Sequence, residues 1–153
     1  MKAAFVFMLM FGPIFSIAEV FGPKYKVLKT SAFPYQRYRM EKPGNYIPTK
    51  KDITDLETSL KEYLKATNKK LYNKHEGYLR QYVGMVAKSK KVVFANFVCN
   101  EFFLEEQQRS SKQKNWKDIE KLVIVYDGGD CFFKFFFDLK GKKFSQFSIN
   151  GTS

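Results

Sequence analysis

Asp127-Gly128-Gly129-Asp130-Cys131-Phe132-Phe133-Lys134-Phe135-Phe136-Phe137-Asp138 is the stretch that organises this chain. A Gly-Gly pair feeds the most aromatic segment of the molecule. The run before it, Leu122-Val123-Ile124-Val125-Tyr126, is apolar and β-branched, so the two flanks predict one hairpin. By strand parity, Cys131, Phe133, Phe135 and Phe137 share one face, and Phe132, Lys134, Phe136 and Asp138 share the other. The mixed second face predicts a sheet fully covered on one side only. Seven of the seventeen phenylalanines fall between Cys131 and Phe147, which places most of the hydrophobic driving force late in the chain.

The same period of two extends to both sides. Downstream, Lys140-Gly141-Lys142-Lys143 reads as a turn and Phe144 to Ile149 as a last strand. Upstream, Tyr78 to Ala87 alternates, Lys88-Ser89-Lys90-Lys91 is a polar turn, and Val92 to Phe103 predicts a long strand. In that strand Val93, Ala95, Phe97 and Cys99 share one face, and Phe94, Asn96, Val98 and Asn100 the other. Leu104 to Lys117 is polar and predicts a surface loop. Its exception is Trp116, the only tryptophan, which either anchors the loop on the core or stands as an exposed contact residue.

One helix precedes the sheet. Thr49 is positioned to cap it, Asp52 sits three residues on as in a capping box, and Pro48 closes off the upstream side. Ile53, Leu56, Leu60, Tyr63 and Leu64 form a single stripe, which ends near Asn68. The basic link Lys69 to Gly77, which holds the only histidine, His75, predicts a loop. The fold class expected is α+β: one amphipathic helix packed on a curved antiparallel sheet of four to five strands.

The chain of 153 residues is sized for one domain. Its 44% hydrophobic and 18% aromatic content excludes a disordered chain. Residues 1–18 read as a secretory signal: Lys2, an apolar run from Ala3 to Phe15, then Ser16-Ile17-Ala18 with small residues where a signal peptidase needs them. An uncleaved anchor is the alternative reading. Residues 19–48 carry Pro23, Pro34, Pro43 and Pro48 among tyrosines and basic residues, which predicts an extended leader with one edge strand. That interleaving suits either nucleic-acid contact or pinning of the leader against the domain. Residues 49–153 form the folded domain.

Charge is the strongest compositional signal. Against 15 acidic residues the chain has 27 Lys+Arg, a formal charge of +12. Such a surface either merely keeps the protein soluble or attracts anionic partners: nucleic acid, phospholipid or glycan.

Two cysteines in a secreted chain point to a Cys99–Cys131 disulfide, the alternative being two buried free thiols. One geometric objection stands. If Leu122–Tyr126 is inserted between their strands, their Cα atoms lie two strand spacings apart, about 9.6 Å, beyond disulfide reach. Catalytic signals are thin. A lone histidine excludes a multi-histidine metal site, and Asp127 and Asp130 around Gly128-Gly129 read as turn residues rather than calcium ligands. No catalytic, cofactor or metal residues are assigned. Asn150-Gly151-Thr152 is a glycosylation sequon.

The order of signal peptide, amphipathic helix and antiparallel meander resembles the cystatin-like architecture over about residues 45–150. Cystatin inhibitors carry a Gln-x-Val-x-Gly hairpin loop and a later Pro-Trp loop. Here Gln81-Tyr82-Val83-Gly84-Met85 has its glycine one residue early and inside a predicted strand, and Asn115-Trp116 stands in the later loop. The chain is also similar to small secreted proteins with a Gln-Tyr-Val-Gly strand and an Asp-Gly-Gly-x-Cys hairpin. The resemblance implies a secreted, non-enzymatic domain that binds a protein partner, with inhibition of a cysteine protease as its sharpest form. A second expectation is a cationic binder of anionic surfaces, acting through the turns Lys88–Lys91 and Lys140–Lys143 and the basic leader. A third is a pocket protein of the nuclear transport factor 2-like layout, which needs a polar cavity between helix and sheet.

Overall fold

The computed structural model describes residues 24–109 and 119–151. The described residues open with β1 (Tyr25–Leu28), a 3-10 turn (Thr30–Ala32) and a two-residue β2 (Gly44–Asn45), followed by α1 (Lys50–Thr67) and a short α2 (Lys69–Lys74). The sheet continues with β3 (Tyr78–Ala87) and β4 (Lys90–Cys99), then α3 (Asn100–Arg109), β5 (Phe132–Asp138) and β6 (Lys143–Ile149). The architecture is α+β, with an open six-stranded sheet ordered β1-β3-β4-β5-β6. β2 also pairs with β3. The sheet is mixed rather than wholly antiparallel, because β1 runs parallel to β3 with Tyr25 opposite Arg80.

α1 forms as its sequence dictates. The Thr49 side chain accepts from the Asp52 amide, the Asp52 carboxylate accepts from the Thr49 amide, and Asn68 closes the far end. Ile53, Leu56, Leu60 and Leu64 are buried. They meet Val93, Ala95, Phe97, Phe133, Phe135 and Phe137 from the sheet in one continuous core. The ring of Phe97 stacks on that of Phe133 with centroids 4.3 Å apart. Rings and leucines fill the space between helix and sheet.

Beyond the mixed, six-stranded sheet, where the sequence predicts four to five antiparallel strands, four further expectations need correction. The link Lys69 to Gly77 is not a loop: Asn68 caps α2 by accepting from the Leu71 amide, and Leu71 is buried. The strand predicted to run to Phe103 stops at Cys99, and Asn100 begins α3, so Leu104 to Arg109 is helical. The second sheet face is also covered. Phe33 and Tyr38 from the leader lie on Phe94 and Phe136 with ring centroids 5.1 to 5.7 Å apart. Farther along that face, Phe102, Phe103, Ile119, Val123 and Val125 pack on Leu79, Val98 and Phe132.

The fourth correction concerns the opening stretch. Leu122–Tyr126 is not a strand, and the Gly-Gly pair does not close a hairpin. β5 lies directly between β4 and β6, so neither of its edges is free for another strand. Gly128 and Gly129 take positive φ, at 97° and 57°, and a 3-10 turn over Gly129–Cys131 follows. A Cβ on Gly128 would stand 2.6 Å from the Phe132 ring, so only glycine fits there. The segment before the turn crosses the second face instead. Two buried amides receive it: Gln81 Nε2 donates to Lys121 O at 2.9 Å, and the Val123 amide donates to Gln81 Oε1 at 2.8 Å. Asn96 Nδ2 donates to Val123 O at 2.8 Å. Side chains here supply what a neighbouring strand's backbone supplies elsewhere.

This arrangement removes the objection to the disulfide. With nothing inserted between β4 and β5, Val98 pairs with Phe132, and Cys99 faces Cys131 one step beyond. Their Cα atoms are 4.8 Å apart, at disulfide distance.

Candidate functional site

Alternate turns of a meander lie at the same end of the sheet. The β3–β4 turn and the β5–β6 turn are therefore neighbours, although some fifty residues separate them in sequence. Ala87 pairs with Lys90, Val92 with Asp138, and Asp138 with Lys143, which sets both turns at one level. The Leu139 amide donates to Lys91 O across the gap at 3.1 Å. The two lysine-rich turns singled out in the sequence thus form one surface, with Lys88, Lys90 and Lys91 on one side and Lys140, Lys142 and Lys143 on the other. All six are exposed.

The start of α1 joins the same end, a convergence the sequence did not signal. Lys142 Nζ reaches Asp55 Oδ2 at 3.6 Å, and the Tyr46 hydroxyl donates to Asp52. Exposed Lys50 and Lys51 are thereby brought beside the turns. Between them lies an open groove of about 820 Å³ lined by Tyr46, Ser89, Lys91, Leu139 and Lys140, with Asp52 and Asp138 in its walls. Lys91 Nζ sits 4.7 Å from the centroid of the Tyr46 ring, a cation–π contact.

The acidic groups at this end are already engaged. Asp138 Oδ1 accepts from the Gly141 and Lys140 amides, both at 2.9 Å, and Oδ2 faces Lys90 at 3.6 Å. The Gly141 amide above all holds the Asp138 carboxyl below its ordinary value, against the opposing effect of burial. Burial pushes the Asp52 carboxyl up, but donation from Tyr46 and Thr49 outweighs it and the pKa ends lowered. Tyr46 is pushed up to about 12, first by burial and then by Asp52. Asp55 is shared between Lys51, at 2.8 Å, and Lys142. What remains is a field of solvated ammonium groups. Such a surface attracts anions electrostatically; no nucleophile paired with a base appears among the described residues here.

The backbone at the turn tips is unusual in the same place. Lys88, Ser89 and Lys142 all have positive φ, at 49°, 61° and 49°, where glycine or asparagine is the ordinary occupant. Two of these three positions carry a lysine.

The other residues singled out in the sequence have structural surroundings. His75 is buried, stacks on Tyr72, and places Nδ1 2.6 Å from Tyr72 O. Asp130 pairs with Lys70 at 3.0 Å and Lys74 at 3.4 Å. Asp127 is exposed, and its carbonyl accepts from Asn150 Nδ2 at 3.2 Å. The same Asn150 amide donates to Val125 O at 2.8 Å, so the sequon asparagine ties the crossing segment to the end of β6. Gln81–Met85 runs through the interior of β3 with every residue buried. A Cβ on Gly84 would lie 2.5 Å from the Pro48 ring, which explains the glycine by close approach rather than by a loop. Trp116 and residues 1–18 lie outside the described residues. Among the described residues no helix is long and apolar enough to cross a membrane.

Comparison with known proteins adds no relative: no family model, curated protein or solved structure matches this chain.

Proposed function

We propose that the protein is a secreted, non-enzymatic binding module that holds an anionic surface against the lysine-bearing end of its sheet. The observation that carries this reading is the convergence of Lys88–Lys91, Lys140–Lys143 and the first turn of α1 at one end, with the local aspartates already engaged. The cysteine pair at disulfide distance is compatible with an extracellular protein. Burial of Gln81–Met85 gives no support to a protease-facing role for that segment. The filled space between α1 and the sheet gives none to a pocket protein. What supports the binding module is its α+β architecture with an open mixed sheet, and the reading does not depend on a cystatin-like mechanism.

Binding to immobilised heparin and to anionic vesicles tests the proposal. Retention is expected to weaken steeply as salt rises, because exposed ammonium groups are screened. The triple variant Lys88→Glu/Lys140→Glu/Lys143→Glu is expected to lose about a hundredfold in affinity, at about 1 kcal/mol per lysine near an anionic surface. Lys65→Glu/Lys69→Glu/Lys121→Glu makes the same change in net charge at other exposed positions and is expected to lose much less. Equal losses in the two triple variants would overturn a localised site, and binding that ignores salt would overturn the reading altogether.

A further inference from the structure

We propose that the anionic surface is a phospholipid bilayer and that Ile47 is the residue that enters it. This rests on the lysine-end reading above and specifies its partner. Ile47 is 74% exposed, the most exposed aliphatic side chain among the described residues. It is not on a loose loop. Its neighbour Tyr46 is held through its amide by Thr30 Oγ1 at 3.3 Å, through its hydroxyl by Asp52, and through its ring by Lys91. Its other neighbour, Pro48, is buried against Gly84, close enough that a Cβ there would clash with its ring. Backbone pinned on both sides presents one branched apolar side chain to water, with Lys50 and Lys51 two and three residues beyond Pro48 and Lys91 against Tyr46.

That pairing separates the classes of anionic partner. A sulfated glycan or a nucleic-acid backbone engages the ammonium groups and gains nothing from a protruding isoleucine. A bilayer gains from both, since stable attachment of a peripheral protein takes an apolar anchor together with a polybasic patch. Lysine stems lie along the acyl boundary while their ammonium groups stay at the phosphates. Because Ile47 is already fixed in place, its insertion orders little additional chain.

Co-sedimentation with phosphatidylcholine vesicles, with and without phosphatidylserine, tests the inference on the full secreted chain. Wild-type protein is expected to partition onto the phosphatidylserine vesicles only. Ile47→Ser is expected to cut that partitioning about tenfold while leaving the salt concentration of elution from heparin unchanged. Ile47→Trp retains an apolar side chain, and its added fluorescence is expected to shift blue on the same vesicles and to be quenched by lipids brominated on the acyl chain. If heparin is bound but phosphatidylserine vesicles are not, the bilayer assignment is wrong; if Ile47→Ser partitions as wild type, Ile47 is not the anchor; in both cases the lysine-end reading stands. Failure to bind either probe removes both. Circular dichroism of each variant shows whether it folds, and Ile47→Trp supplies an independent readout should the serine variant misfold.

Discussion

Gln81 carries more of the tertiary structure than its place in an apolar strand suggests. Its amide is wholly buried, donates to Lys121 O, and accepts from both Val123 N and Asn96 Nδ2, with Asn96 reaching on to Val123 O. Replacing it by an apolar side chain of similar length leaves a buried backbone donor and acceptor unmet. Gln81→Met is therefore expected to cost about 2 to 3 kcal/mol, read as a lower urea midpoint. It is also expected to speed proteolysis between Lys121 and Gly128, where the crossing segment lies. A variant with unchanged midpoint and cleavage would show that the crossing segment holds itself. Asn150 clamps the other end of that segment, and both protons of its amide are committed to Val125 O and Asp127 O. None of this was visible in the sequence, because the backbone partners lie 23 to 42 residues away and are groups without identity. By contrast, Thr49 and Asp52 were legible, since a capping box places both partners within one turn.

Elements formed where their signals were local and failed where two strands competed for one edge. α1 followed its stripe and its cap. The capping carboxylate also gives it a pH dependence of known sign. Asp52 has a folded pKa below its ordinary value, as do Asp55, Asp130 and Asp138. The unfolded chain therefore binds protons first as pH falls. Stability from these groups is complete above about pH 4 and is lost progressively as pH drops through the lowered folded values. Asp52→Asn is expected to cost about 1 kcal/mol near neutrality and to flatten the acid limb of a plot of urea midpoint against pH. A limb as steep as that of wild type would show that Asp52 contributes nothing to it. The Leu122–Tyr126 run is the contrary case. Its β-branched residues favour an extended backbone, but β4 and β6 already occupy both edges of β5. Propensity favours a conformation and cannot choose a neighbour.

The described residues form a sheet covered on both faces, with the last residue of β4 at disulfide distance from the residue before β5. Cys99 and Cys131 are 32 residues apart, and a bridge between them encloses α3 and the crossing segment. Reduction, or Cys99→Ser/Cys131→Ser, is expected to lower stability by about 3 to 4 kcal/mol. The intact mass without reductant should lack the two thiol hydrogens. A full complement of free thiols in the folded, unreduced protein would sink the bridge. Which residues face inward was written into the sequence: the stripe Ile53 to Leu64, the alternation Val93 to Cys99, and the odd-numbered positions 131 to 137 depend only on helix and strand periods. The positive charge and the lysines of both turns were there as well. Only the tertiary structure decided which strands are neighbours, what covers the second face, and that two distant turns and a helix start share one end. Periodicity is a property of a few consecutive residues, whereas adjacency depends on which edges and faces the rest of the chain leaves open.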